Sequence, residues 1–172
     1  LEQILNGLLV GSYYIVLSLG LSIIFSLGGV VNLAHGAFYA LGAYFAYEVQ
    51  RRLGFGGAVV LSPVGVALVG IVIERLFLRR LYREDPMLGL LFTFGLAMTA
   101  EQSLRLIWGT TGLNFSIPDA LRGQLLLGDF IYSYYRLTVL AVTMLAVTGC
   151  WLLLNKTPFG MIVRAGTRDP EM

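Results

Sequence analysis

Charge is what this sequence has least of. Asp, Glu, Lys and Arg make up 13% of its 172 residues, against about 25% in a soluble domain. The shortage is spread along the chain, which excludes an ordinary soluble domain and implies several membrane spans. Cysteine occurs once, as Cys150, so no intrachain disulfide can form. It lies in the apolar run from Ala146 to Leu154, where a buried, inert thiol is expected. Histidine also occurs once, as His35. One Cys and one His give no metal-ligand spacing and no nucleophile–base pair. A Gly-rich loop ending in Gly-Lys-Ser/Thr is missing too, and ATP-binding chemistry with it. The chain itself is therefore not expected to be a catalyst. Its net charge of +2 is too small to suggest nucleic acid. No classical signal peptide opens the chain. The first apolar segment is long enough to span and is expected to act as its own uncleaved insertion signal. Leu1 is not a methionine, so residues are expected to precede it.

What is present is apolar length. From Ile4 to Tyr47 no residue is charged at neutral pH. One polar island interrupts this stretch: Val31-Asn32-Leu33-Ala34-His35-Gly36-Ala37-Phe38-Tyr39. In hydrocarbon a polar side chain or irregular backbone is costly unless protein or a water-filled cavity surrounds it. The island therefore marks either a bend between two membrane helices or part of a transport path. Asn32 is placed to cap a helix beginning at Leu33, and His35 to bond a neighbouring carbonyl. A structural histidine is the plainer reading; a gating role beside the helix break is the alternative.

A spanning helix needs about 20 mostly apolar residues. Five candidate spans follow, at about 4–30, 33–47, 58–73, 87–108 and 137–154. The expected fold is an all-α polytopic membrane protein, read as a single domain over 1–172. The third span is short, and Gly54-Phe55-Gly56-Gly57-Ala58 precedes it abruptly, as though residues were missing there. Topology follows from the arginines and lysines near helix ends. Arg75, Arg79, Arg80, Arg83, Lys156, Arg164 and Arg168 share one side if spans four and five form a hairpin, and that side is read as cytoplasmic. Arg51, Arg52, Arg105, Arg122 and Arg136 then lie outside. The stretch 109–135 becomes a periplasmic loop and 155–172 a cytoplasmic segment. Within the loop, Gln124 to Tyr132 reads as a small β-hairpin, with Gly128-Asp129 suited to a two-residue turn.

Two sets of residues invite a functional reading. In the first span Gly7, Gly11, Ser18, Ser22 and Ser26 form a small-residue stripe. It reads as helix packing, with a polar strip beside a translocation path as the alternative. In the fourth span Thr93, Ala97, Glu101 and Arg105 share one face. Glu101 and Arg105 are spaced for an intrahelical pair. The alternative makes Glu101, with Thr93 and Gln102, the lining of a path's outer mouth. An amino-acid substrate would bring an ammonium that suits such a carboxylate.

The ordered run from Gly7 to Tyr44, ending LGLSIIFSLGGVVNLAHGAFYALGAY, resembles the start of the integral-membrane permeases of bacterial branched-chain amino-acid ABC importers. Glu74-Arg75-Leu76 with Arg79-Arg80-Leu81, and Leu91-Phe92-Thr93-Phe94-Gly95-Leu96, extend the resemblance. So does the segment from Asn155 to Met172, which is similar to the family's cytoplasmic T-x-x-G-x-x-x-R-A pattern at Gly160, Arg164 and Ala165. The resemblance implies that this segment leads to the loop docking on ATP-binding subunits. It implies the N-terminal part of a longer permease in a bacterial inner membrane. It also implies a homologous second permease, two ATP-binding cassette subunits and a periplasmic substrate-binding protein as partners. No cofactor is then bound by this chain, since ATP and Mg belong to the partner subunits. The same fold carrying urea or short amides remains an alternative, as does a transporter driven by an ion gradient. The second would call for several titratable residues deep in the spans, where only Glu101 and His35 come close. A membrane scaffold without transport is the remaining rival.

Overall fold

The structure is a computed structural model and describes residues 2–28, 31–82, 84–127, 130–158 and 160–161. In chain order the elements are α1 (Glu2–Gly28), α2 (His35–Ile73), a π-helical turn (Glu74–Leu78), α3 (Arg79–Leu81), α4 (Pro86–Trp108), a 3-10 turn (Asp119–Leu121), β1 (Gln124–Leu127), β2 (Phe130–Ser133) and α5 (Tyr134–Lys156). The chain is an all-α polytopic membrane protein with one small hairpin. Among the described residues four helices are long and apolar enough to cross a membrane. The sequence led to five spans, and the difference lies in α2.

Helix α2 is two spans joined without a loop. Its 39 residues are interrupted once, at Gly54, where φ is 76° and ψ −179°. Two arms of 19 residues result, 35–53 and 55–73. At 1.5 Å per residue each is about 28 Å long, close to the ~30 Å hydrocarbon core. The arms lie back to back. A Cβ placed on Gly65 would sit 3.0 Å from the Phe45 ring, and one on Gly42 3.5 Å from Val66 Cγ2. Along a straight helix residues 45 and 65 would be about 30 Å apart, so the chain reverses at Gly54. Only glycine takes that positive φ without strain. Small residues let the arms approach closely. The stretch between the second and third expected spans is thus helical on both sides of a single glycine, and Glu48, Arg51 and Arg52 ride on the end of the first arm. Pro63 is accommodated inside the second arm, as proline often is in membrane helices.

The chain divides into two compact units. One holds α2, α3 and α4. The first arm of α2 and α4 run side by side in the same direction. Leu33 meets Thr93 near their starts, and Glu48 meets Trp108 near their ends. Asp85 caps α4 by accepting from Met87 N at 2.9 Å, with Pro86 at the first helical position where its missing N–H costs nothing. Beyond Trp108 the chain returns to the Gly54 turn. Gln50 donates to the Ser116 carbonyl, and the Phe55 and Phe115 rings meet edge to face at 6.3 Å.

The other unit holds α1, the β-hairpin and α5. β1 and β2 pair antiparallel from Gln124↔Ser133 to Leu127↔Phe130. That register leaves two residues for the turn, as the Gly128-Asp129 dipeptide suggested, although both residues lie outside the described ones. The Tyr134 N–H donates to the Gly123 carbonyl at 3.0 Å, and Ser133 Oγ caps α5 by accepting from Tyr135 N. A Cβ on Gly123 would strike the Tyr134 ring. The hairpin is fixed to the start of α1: Tyr132 is buried and its hydroxyl donates to the Leu5 carbonyl at 3.3 Å. Arg136 donates to Asn6 Oδ1 at 2.6 Å and lies 5.7 Å from the Tyr132 ring centroid, within cation–π range.

Candidate functional site

The polar island is a hydrogen-bonded joint. Asn32 Oδ1 accepts from Ala34 N at 3.0 Å, and the Asn32 carbonyl accepts from His35 N at 3.2 Å. This is a turn built by an asparagine side chain. It places the helix start at His35, two residues later than a cap on Leu33 would. The Leu33 N–H is satisfied from elsewhere: it donates to Thr93 Oγ1 on α4 at 3.2 Å. The Thr93 hydroxyl in turn donates to the Leu90 carbonyl at 3.0 Å. Thr93 is 1% exposed, as is Ala34. Asn32 and Thr93, which the sequence placed in separate arguments, therefore serve one joint, Asn32 through Ala34 N and Thr93 through Leu33 N. His35 is half-buried at the start of α2 and is itself engaged in an interaction.

Further along the same two helices the character changes. Gly36, Ala37, Ala40 and Tyr44 on the first arm of α2 face Ala97, Glu101, Leu104 and Arg105 on α4 across a groove of about 420 Å³. Glu101 and Arg105 form the expected pair, Arg105 Nη2 to Glu101 Oε1, at 2.6 Å. More than half of each side chain is open, 57% for Glu101 and 54% for Arg105. Gln102 is also exposed and does not line this groove. Past the groove, the Trp108 indole N–H donates to Glu48 Oε1 at 2.9 Å, and its ring lies 5.0 Å from Tyr44. Glu48 also faces Arg51 at 3.7 Å. The sequence reading passed over this Tyr44–Trp108–Glu48 cluster. A tryptophan and a carboxylate at the ends of neighbouring spans were its only signals.

A second, smaller space lies where the two arms of α2 meet α4. It is about 70 Å³ and wholly apolar, lined by residues such as Ala37, Leu41, Val69 and Ala100. Beyond the second arm, Arg75, Arg79 and Arg80 surround an open concavity with Tyr82 and Glu84. The Tyr82 hydroxyl donates to Glu74 Oε2 at 2.7 Å. Burial first, then that bond and the carboxylate's charge, push the phenol up to about 12, so it stays a donor at any physiological pH. Arg83 falls outside the described residues.

The small-residue stripe of α1 lies mostly open among the described residues, with Gly11 half-buried. Ser18, Ser22, Ser26 and Gly7 are exposed, and a Cβ on Gly7 or Gly11 would meet nothing within 4 Å. Among the described residues of α1 Ser12 is buried, and its hydroxyl donates to the Leu9 carbonyl at 2.7 Å. After α5, Thr157 Oγ1 accepts from Gly160 N at 3.3 Å. Threonine followed by Pro158 is a helix-starting pair, which gives the T-x-x-G spacing a physical reason. Gly160 is buried, and a Cβ there would collide with the Leu154 carbonyl. Arg164, Ala165 and Arg168 lie outside the described residues. Among the described residues no three His, Cys, Asp or Glu side chains gather as a metal site would require.

Residues 3–172 match the family described as branched-chain amino acid transport system / permease component. The chain belongs to that family. It is similar to the high-affinity branched-chain amino acid transport system permease protein BraD of Pseudomonas aeruginosa, 26% identical over 187 positions that cover 100% of this chain and 60% of the relative. It is also similar to the permease protein LivH of Escherichia coli K12, at 24% identity with 100% and 60% covered. A probable LivH of Methanocaldococcus jannaschii is 27% identical, with 99% and 56% covered. This chain therefore spans about three-fifths of the length of the curated relatives it matches. The alignment with BraD runs over 187 positions against 172 residues here, so at least 15 positions of that relative have no counterpart. No solved structure matches. The family is one of transport permeases rather than enzymes, and the apolar helices make this a multi-pass membrane protein.

Proposed function

We propose that this chain is part of the membrane-spanning subunit of an ABC importer that carries branched-chain or related amino acids into the cytoplasm. The family match over residues 3–172 carries this reading, and the names of the relatives give the substrate class. The expected setting is a bacterial inner membrane. The expected partners are a homologous second permease, two ATP-binding cassette subunits and a periplasmic binding protein. ATP and Mg sit on the cassette subunits, and this chain binds no cofactor of its own. On this reading the Gly54 turn and 109–135 are periplasmic, while 75–85 and 155–172 are cytoplasmic, the side favoured for dense arginines.

Alternating access requires two states that the energised partners bind differently. The helices around the groove are the elements proposed to move, and the stretch from Gly160 through Arg164 and Ala165 leads to the docking element. Asn32 and Thr93 hold the joint on which the first arm of α2 and α4 turn together. The direct test is purification of the full-length protein in mild detergent, with an ATPase assay of what accompanies it. A co-purifying ATPase pair, stimulated by binding protein with leucine or valine, is the expected result. A lone protein without ATPase would refute the importer reading. Arg164→Glu is expected to uncouple hydrolysis from transport while leaving insertion intact.

A further inference from the structure

We propose that the Glu101–Arg105 pair is a two-point site for the α-ammonium and α-carboxylate of a free amino acid, with the aliphatic side chain lying along the Gly36–Ala37–Ala40–Ala97 floor. The proposal rests on the reading of this chain as part of an amino-acid permease and names the groups that would meet the substrate.

Four observations carry it. Opposite charges sit one helical turn apart on one face and touch at 2.6 Å. A free amino acid presents opposite charges on neighbouring atoms, so it can satisfy both members at once. Both side chains are more than half exposed within a helix apolar enough to cross a membrane. Arg105 lies in the last turn of α4 and Glu101 one turn further in. Charges within a spanning helix are tolerated where they face protein, a water-filled cavity or the interface, and rarely where they face lipid. The pair also opens onto a defined space of about 420 Å³, within the ~300–1,000 Å³ usual for small-molecule pockets. Finally, the floor beside the pair carries nothing larger than a methyl group at Gly36, Ala37, Ala40 and Ala97, while Tyr44 and Leu104 bound it. A branched aliphatic chain is received there without displacing protein atoms. Urea and short amides carry no net charges to exchange for the ion pair.

The intrahelical contact is weak, as exposed i,i+4 pairs are, so a ligand can replace it at little cost. The site is accordingly a low-affinity station, suited to a substrate that must also leave.

The test uses the full-length protein in its assembled complex, in nanodiscs and without binding protein. Leucine, leucinamide (no carboxylate) and 4-methylpentanoate (no ammonium) are titrated by saturation-transfer NMR. Leucine is expected to bind, and each analogue to bind about tenfold more weakly, the loss for one hydrogen bond to a charged group. Glu101→Gln should abolish the preference for leucine over 4-methylpentanoate, and Arg105→Gln the preference over leucinamide. The double variant should bind leucine worse than either single one. A purely helix-stabilising pair predicts the reverse, because the double variant leaves no unmatched charge. Equal binding of all three probes, unchanged leucine binding by both single variants, or no leucine binding to a transport-competent complex would overturn the site. A complex that moves no amino acid at all would instead defeat the functional reading on which it rests.

Discussion

The two ends of the seam between the first arm of α2 and α4 solve the same problem in opposite ways. Both must place polar groups in an apolar surrounding. At the Asn32 end the groups are neutral, partly buried around the buried Thr93, and mutually satisfied: Asn32 Oδ1 on Ala34 N, Leu33 N on Thr93 Oγ1, and Thr93 on the Leu90 carbonyl. Toward the Trp108 end they are charged, with Glu101 and Arg105 open and Glu48 half-buried between Trp108 and Arg51. Buried neutral bonds hold a joint, since breaking one leaves an orphaned group in a low dielectric. Open charges hold little, because their solvation competes with the pair, and that leaves them able to exchange partners. One end is suited to positioning and the other to binding.

The contrast is sharpened by variants. The largest effect on stability is expected where the arms of α2 touch. Gly65→Leu would drive new atoms into the Phe45 ring, 3.0 Å from the added Cβ, at a cost of about 1–3 kcal/mol. A clear drop in the thermal unfolding midpoint in detergent checks this, and an unchanged midpoint would contradict the back-to-back arms. Next comes Thr93→Val, which orphans the Leu33 N–H and should cost about 1–3 kcal/mol. Thr93→Ser keeps the hydroxyl and should restore most of that loss. Equal damage from Val and Ser would show that shape rather than bonding holds the joint. Trp108→Phe retains the contact with Tyr44 but removes the bond to Glu48, with an expected loss of about 1 kcal/mol. The smallest effect on stability belongs to Glu101→Gln, about 0.3–0.5 kcal/mol, discounted further by its exposure. Its transport rate in the reconstituted system should fall well beyond that change. Should stability and transport fall together, the ends of the seam do not differ as argued.

Much of this was legible in the residues. Long uncharged runs marked the spans because uncharged length is what a bilayer requires. The i,i+4 spacing of Glu101 and Arg105 gave their pair, and the Gly-Asp dipeptide the hairpin, since both are local in sequence. The Gly54 reversal was not recognised, and 54–58 was read instead as a place where residues could be missing. Five residues from Gly54 to Ala58 held three glycines, and composition does not say which of them takes the positive φ. The bond from Leu33 N to Thr93 was not legible, because sixty residues separate the bend from its partner. The stripe of Gly7, Gly11, Ser18, Ser22 and Ser26 was legible as small residues on one face. Which face of α1 packs within its unit was not: among the described residues Ser12 is buried, Gly11 half-buried, and Gly7, Ser18, Ser22 and Ser26 exposed.

By itself, then, the sequence determined the class of environment, the approximate extent of the first, fourth and fifth spans, and the local pairs. Each follows from the transfer of single residues or from contacts within one turn of backbone. Tertiary structure decided that the second and third spans fold against each other at one glycine. It also decided that a threonine on α4 closes the joint at Asn32, and that the Glu101–Arg105 pair opens onto a groove floored by glycine and alanine. These depend on how separate helices fit side by side, and the side-chain volumes that govern that fit are set by residues far apart in the chain.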